Sequence, residues 1–204
     1  MQQSERVYQL VGGHPALNFV NTLDWRFRES APEELLCSYG DLITFTEQSE
    51  LLTARQAKGL RRVAEGKAGQ AALAEAHRLR EALAELLYAQ VDERKPATSA
   101  MKVVEEFLRS VRERQCLRRE DGVMRWVLPE SGEDAQLPVW LVAQSAEALL
   151  TSDEFEKVRA CAKPDCRWLF VDTSKNHTRR WCDMKLCGNR MKARRFKAQH
   201  KAEG

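Results

Sequence analysis

The sequence predicts an α+β protein that is mostly α: a helical N-terminal domain with a small β hairpin, then a compact C-terminal module. Apolar residues recur every three or four positions over residues 70–93, which is the period of an amphipathic helix. Asp121-Gly122 separates two alternating runs, which indicates a two-residue hairpin turn. Four of the six cysteines lie in the basic segment 161–187, which is too short to build a large core of its own.

The first elements of the helical domain are predicted from their start and stop signals. A short extended start at Val7–Val11 precedes a helix that opens at Pro15, a residue that suits the first helical turn. A second helix follows Asp41 as its N-cap, and a third runs from Thr53 to about Gly66.

The later elements follow in the same way. The long helix over 70–93 and a further helix over 98–114 precede the Asp121-Gly122 hairpin, and Pro138 opens the last helix of the domain. The two isolated cysteines, Cys37 and Cys116, are predicted to be ordinary core thiols.

The charge distribution separates the C-terminal segment from the rest of the chain. Residues 161–204 carry 12 Lys and Arg against 4 Asp and Glu, a net charge of +8, whereas the first 160 residues carry 21 against 26, a net charge of −5. Such asymmetry indicates that the basic end meets a polyanion. The sequence has no signal-peptide-like start and no apolar run of membrane-spanning length. We therefore expect a cytoplasmic protein, whose thiols stay reduced.

The cysteines form two pairs of equal spacing, Cys161-x4-Cys166 and Cys182-x4-Cys187. Two short loops that each deliver two thiolates can close a tetrahedral shell around one structural Zn²⁺, with no open position for catalysis. Strand-like residues after the first pair and a helix from about Cys187 predict a treble-clef or ribbon-like zinc finger that ends in a basic helix. Four ordinary buried thiols or a rubredoxin-like iron site are the alternatives, and His177 is a conceivable further ligand.

The basic helix predicts a nucleic-acid contact. On a helical wheel, Arg190, Arg194, Lys197 and Lys201 form one stripe. Such a stripe can neutralise phosphates, and its helix fits the major groove of double-stranded DNA. A solvated tail, docking on the acidic part of the chain, or a protein partner are the alternatives. The predicted contacts are Arg179, Arg180, Arg190, Lys192, Arg194, Arg195, Lys197 and Lys201.

Two stretches resemble known bacterial families. Residues 172–196, which include Cys187-Gly188-Asn189-Arg190, resemble the CGNR zinc finger, and "GGHPALNFVNTLDW" resembles the start of the ABATE domain. The resemblance implies a zinc-dependent transcription regulator with an ABATE-like domain over 1–152, which senses an effector, and a DNA-binding finger over 153–204. From the residues themselves, we expect Gly188 to release the backbone. Asn189 is expected to satisfy backbone groups or cap the helix, with base reading as the alternative.

A polar set in the first helix is a candidate ligand pocket, with Trp25 or Trp126 as a wall. The alternative is that these side chains are structural. No nucleophile motif or phosphate loop is present, so we expect no enzyme, although a pocket enzyme and a zinc-stabilised protein-interaction module remain alternatives. A homodimer is expected because one small finger buries little surface. The candidate pocket consists of Asn18, Asn21, Thr22, Asp24 and Arg26.

Overall fold

The structure, a computed structural model, describes residues 6–30, 32–63, 66–128 and 134–193. These ranges contain six α-helices and three small sheets, as the sequence predicts for a mostly α protein of the α+β class. The helices are α1 (Pro15–Val20), α2 (Tyr39–Gln48), α3 (Ala54–Val63), α4 (Lys67–Val91), α5 (Thr98–Arg114) and α6 (Leu137–Leu150).

The long helix α4 is the central element of the domain. It packs against α1, α2, α5 and α6, and Leu79, Leu83 and Leu87 are completely buried in its apolar stripe. Burial of one such side chain contributes about 1.5–3 kcal/mol. The three- and four-residue spacing seen in the sequence therefore corresponds to the face that holds the helices together.

The start of α2 differs from the prediction. Ser38 is the N-cap, and Asp41 lies at the third helical position, where its carboxylate accepts a hydrogen bond from the Ser38 backbone N–H. The two residues form a capping box, in which each side chain binds the backbone of the other. The predicted extended start is not a strand, and Tyr8 is instead held by the Gln48 side chain and buried against Phe45.

Each sheet in the described residues is a two-stranded antiparallel pair. The predicted hairpin turn is confirmed, because Asp121 and Gly122 both have left-handed backbone angles, φ 49° and 82°, as a two-residue hairpin turn requires. The strand β5 was not predicted. The pairs are β1 (Leu23–Asp24) with β2 (Glu33–Glu34), β3 (Cys116–Glu120) with β4 (Val123–Val127), and β5 (Val158–Ala160) with β6 (Leu169–Val171).

The main hydrophobic core includes residues from both ends of the chain. Val158, Leu169 and Val171 are buried in the same apolar cluster as the helices, with β5 against α4 and β6 against α1. Cys37 is exposed and Cys116 is half-buried, so Cys37 is not a core thiol. Within the described ranges, no helix is both long enough and apolar enough to cross a membrane.

Candidate metal centre and basic surface

The first thiol loop, residues 161–166, is a tight turn between β5 and β6. Cys161 follows β5 and its N–H donates to the Trp168 carbonyl over 2.9 Å. Pro164 and Asp165 form the predicted turn, and the Cys166 N–H closes it by donating to the Lys163 carbonyl. Both thiols of the loop are thereby held on one side of the β5–β6 pair.

The second thiol loop, residues 182–187, contains one wide helical turn. The Asp183 carboxylate accepts hydrogen bonds from the N–H groups of Lys185 and Leu186, and its carbonyl accepts from the Cys187 N–H. Residues 189–193 continue as α-helix. The Ala162 N–H donates to the Arg180 carbonyl over 2.8 Å, which ties the two thiol loops together.

The two loops bring all four sulfurs to one point. The sulfurs of Cys161, Cys166, Cys182 and Cys187 lie within 4.8 Å of one another, and the Cys182–Cys187 and Cys166–Cys182 pairs are 3.6 and 3.8 Å apart. A tetrahedral ion with Zn–S bonds of about 2.3 Å requires sulfurs about 3.8 Å apart. All four residues are at least 94% buried, so water cannot easily complete the shell.

The crowding of the sulfurs controls their protonation. The pKa of Cys161 is lowered because the thiols of Cys166 and Cys182 donate hydrogen bonds to its sulfur. The pKa of Cys182 is raised because it makes those bonds to neighbouring sulfurs and is buried. A divalent ion stabilises all four thiolates at once.

Two cations contact the thiol loops from inside the fold. Lys163 is 7% exposed and lies 4.2 Å from the Trp25 ring centre. Arg179 stacks on Phe170 and donates to the carbonyls of Val11 and Trp181, and also to those of Val171 and Cys182. Although Arg179 is a predicted DNA contact, its guanidinium holds the chain around the second thiol loop.

Side chains of the N-terminal part fasten the first thiol loop to the helices. The Asn21 side-chain amide makes two hydrogen bonds with Leu169, accepting from its N–H over 2.9 Å and donating to its carbonyl over 3.0 Å. Asp24 accepts from the Trp168 indole N–H over 2.8 Å. Burial raises the pKa of Asp24, although this hydrogen bond and one from the Trp25 N–H oppose the shift.

The other predicted pocket residues make local contacts. Asn18 accepts a hydrogen bond from the Gly12 N–H, Thr22 donates to the Phe19 carbonyl, and Arg26 pairs with Glu81. These contacts favour the structural alternative for Asn18, Thr22 and Arg26. Of the predicted pocket residues, Asp24 borders a cavity of about 180 Å³ next to the cysteines. That cavity is lined by Gln9, Asp24, Trp25, Cys166, Trp168, Cys182, Leu186, Cys187 and Arg190.

Apart from Arg179, the predicted DNA contacts that the structure describes are exposed near the second thiol loop. Arg180, Arg190 and Lys192 are exposed, and Arg180 and Lys192 border an open groove of about 590 Å³ together with Trp181. Lys185 is also exposed here, and it was not among the predicted contacts. Arg194, Arg195, Lys197 and Lys201 lie outside the described residues, as does most of the predicted stripe.

The sequence predicts that Gly188 releases the backbone, but Gly188 is not among the described glycines with a left-handed φ, which are Gly13 and Gly122. A side chain at Gly188 would instead collide with Met184, at 2.6 Å from its sulfur, and approach the Trp181 ring at 3.1 Å. His177 is exposed and its ring nitrogen lies 3.2 Å from the Asp172 carbonyl oxygen. It is not among the residues that converge on the metal centre.

These features define a class of protein: a helical domain followed by a small module with a four-thiol metal centre. The chain belongs to the ABATE family, whose description is "Putative stress-induced transcription regulator" and whose profile matches residues 13–153. The profile of the CGNR zinc finger matches residues 157–200. Both matches confirm the family resemblance predicted from the sequence. No curated protein matches the chain.

Proposed function

We propose that the protein is a zinc-dependent, DNA-binding transcription regulator of the cytoplasm and not an enzyme. One structural Zn²⁺ per chain is held by Cys161, Cys166, Cys182 and Cys187. The mutual spacing and burial of these sulfurs support the site, and four thiolates suit zinc or iron among the common metals. A closed shell leaves no position for substrate, so the ion stabilises the fold.

A surface of unpaired cations beside the metal centre carries the proposal of DNA binding. Arg180, Lys185, Arg190 and Lys192 are exposed, and none of them has an ion-pair partner in the described part of the chain. Several arginines of the helical part instead pair with glutamates, as Arg94 does with Glu85 and Arg78 with Glu106. Unpaired cations on a metal-fixed loop are available for phosphates. The cations at 194–201 extend this basic surface in sequence.

The test of the proposal is the selection of bound sequences from random duplex DNA, with and without a chelator. We expect a preferred sequence that is lost when the metal is removed, and a metal content of one zinc per chain. If about six phosphates are contacted, log affinity against log salt concentration has a slope of about −5. Arg190→Ala with Arg194→Ala should weaken binding strongly without loss of zinc. Lys102→Ala, an exposed change on α5, is the matched control.

A result in which the wild-type chain holds zinc but shows no affinity for duplex DNA would overturn the proposal. Binding to an acidic protein with the same salt dependence would then favour the alternative of a zinc-stabilised protein-interaction module. Iron in place of zinc would contradict the assignment of the metal while leaving the DNA test intact.

Effector sensing is the part of the proposal that concerns the helical domain. Its candidate site is the cavity next to the cysteines, where Asp24, Trp25 and Trp168 offer one carboxylate and two aromatic walls. Cys166, Cys182 and Cys187 also line this cavity, so the proposed zinc takes up part of it. The cavity volume of about 180 Å³ suits a molecule smaller than the occupants of typical pockets of about 300–1,000 Å³. A small aromatic hydrogen-bond donor bound there would compete with Trp168 for Asp24 and so act on the first thiol loop.

A homodimer is also proposed, with the β3–β4 hairpin as its surface. Leu117, Met124 and Trp126 are each at least half exposed on this hairpin, which has a free edge on each strand. Its tip is acidic at Glu120-Asp121 and its strands carry Arg119 and Arg125. An antiparallel pair of hairpins therefore places the acidic tip of one copy against the basic strand of the other.

Sedimentation of the full chain tests the dimer. We expect a concentration-dependent dimer in the wild type and a monomer in the Trp126→Ser variant. The Phe27→Ser variant, which changes another exposed aromatic residue, should remain dimeric. A wild-type monomer at all concentrations would exclude this arrangement.

A further inference from the structure

The four residues that name the CGNR finger divide into an inner and an outer pair. Cys187 contributes a buried sulfur to the metal centre, and Gly188 is buried, with the Met184 sulfur and the Trp181 ring next to the position that a side chain would take. Asn189 and Arg190 are exposed. The metal and the packing around it explain why Cys187 and Gly188 stand at their positions. They do not explain why an amide and a guanidinium follow at Asn189 and Arg190.

Asn189 performs neither of the structural tasks that the sequence suggested. Asp183 caps the wide turn, and the N–H of Asn189 donates to the Met184 carbonyl as ordinary backbone. In the described part of the chain, the Asn189 side-chain amide makes no hydrogen bond. Its donor and its acceptor are therefore both available to a partner.

The position of Asn189 is fixed more firmly than that of an ordinary surface residue. It follows the buried Cys187 by two residues, and its N–H bond to Met184 holds the turn closed. The side chain is short, so little rotamer freedom is lost when it binds. Lys185 and Lys192 are exposed on either side of it in sequence, and such cations set the register of a protein on the phosphate backbone.

We propose that Asn189 and Arg190 are the base-reading pair of the DNA interface, with Asn189 bound to an adenine and Arg190 to a guanine. The inference rests on the proposed DNA binding. An Asn amide can bind N6 and N7 of adenine together, and an Arg guanidinium can bind O6 and N7 of guanine. Two adjacent readers on one rigid turn would define neighbouring or overlapping base pairs of the recognised site.

The experiment is selection from random duplex DNA with the full-length, zinc-loaded chain and single variants. Asn189→Ala should keep one zinc per chain and bind a non-specific duplex as well as the wild type does. Its preference for adenine over the other bases at one position should fall by about 5- to 150-fold. Arg190→Lys retains the charge but not the bidentate geometry. It should therefore lose preference at one guanine position while its affinity for a non-specific duplex changes little.

Lys192→Ala is the control for phosphate contact. It should weaken binding to all sequences about equally and reduce the magnitude of the salt slope by about one. If Asn189→Ala selects the same sequence as the wild type, the inference is wrong although DNA binding stands. If Asn189→Ala loses zinc or unfolds at a lower temperature, the residue is structural. If the wild-type chain binds no duplex, the proposed function itself fails and the inference with it.

Discussion

The two thiol loops have the same spacing of cysteines but opposite surroundings. Beside the first loop, Trp168 and Arg167 contact Asp24 and Asp92 of the helical part. At the second loop, Arg180 and Lys185 are exposed to solvent, although Arg179 is turned inward. The first loop therefore connects the metal centre to the main core, and its contacts with Asn21 and Asp24 are called the joint below. The second loop presents a basic surface. A metal shared by both loops would fix that surface relative to the helices.

The largest expected effect is that of breaking the metal centre. Cys182→Ser should lose the zinc and lower the free energy of unfolding by more than about 5 kcal/mol, because structural zinc contributes about 10–16 kcal/mol in finger peptides. The sequence alone suggests that only the finger would melt. Because Leu169 and Val171 are part of the helical core, we expect the helices to unfold at a lower temperature too, in one transition.

Thermal unfolding followed by the helical circular dichroism signal, together with zinc content, measures this effect. Cys37→Ser changes an exposed thiol and is the matched control, for which no change in either measurement is expected. Two separate transitions, with the helical one unmoved, would mean that the first thiol loop is not the joint described above.

Much of the fold could be predicted from local sequence signals. The stripe of α4, the Asp121-Gly122 turn and the paired cysteines each depend on residues close together in the chain, so spacing was sufficient. The joint depends on residues far apart. Asn21 and Leu169 are 148 positions from each other. No local pattern indicates that the Asn21 side-chain amide will bind the Leu169 backbone in place of a neighbouring strand.

The same reason explains why the sequence did not distinguish the inward Arg179 from the outward Arg180. Arg179 points inward to carbonyl groups and Arg180 points outward, which follows from the path of the chain between β6 and Cys182. Likewise, nothing in the sequence indicates that the Met184 side chain lies next to Gly188. Residue type and spacing could identify the metal ligands, but the direction of the side chains around them requires the tertiary structure.

The second-largest loss of stability is expected when the joint is broken at Asn21. Asn21→Ala removes two buried hydrogen bonds and leaves the N–H and carbonyl of Leu169 without partners. Each unsatisfied buried group costs about 1–3 kcal/mol, so we expect a loss of about 2–4 kcal/mol in the free energy of unfolding. Denaturant unfolding measures it, with the exposed Asn176→Ala as control. A loss equal to that of the control would show that the joint does not depend on Asn21.

The smallest expected effects are a loss of stability at Arg179 and a loss of DNA binding at Arg180. Arg179→Ala should cost about 1–2 kcal/mol of stability, because its carbonyl partners are only partly buried and water can replace some of the lost bonds. Arg180→Ala should change stability by less than about 0.5 kcal/mol and instead weaken DNA binding, with a salt slope smaller by about one. Unfolding and DNA titration of both variants test the pair. If Arg179→Ala affects only binding and Arg180→Ala only stability, the inward and outward assignments of the second loop must be exchanged.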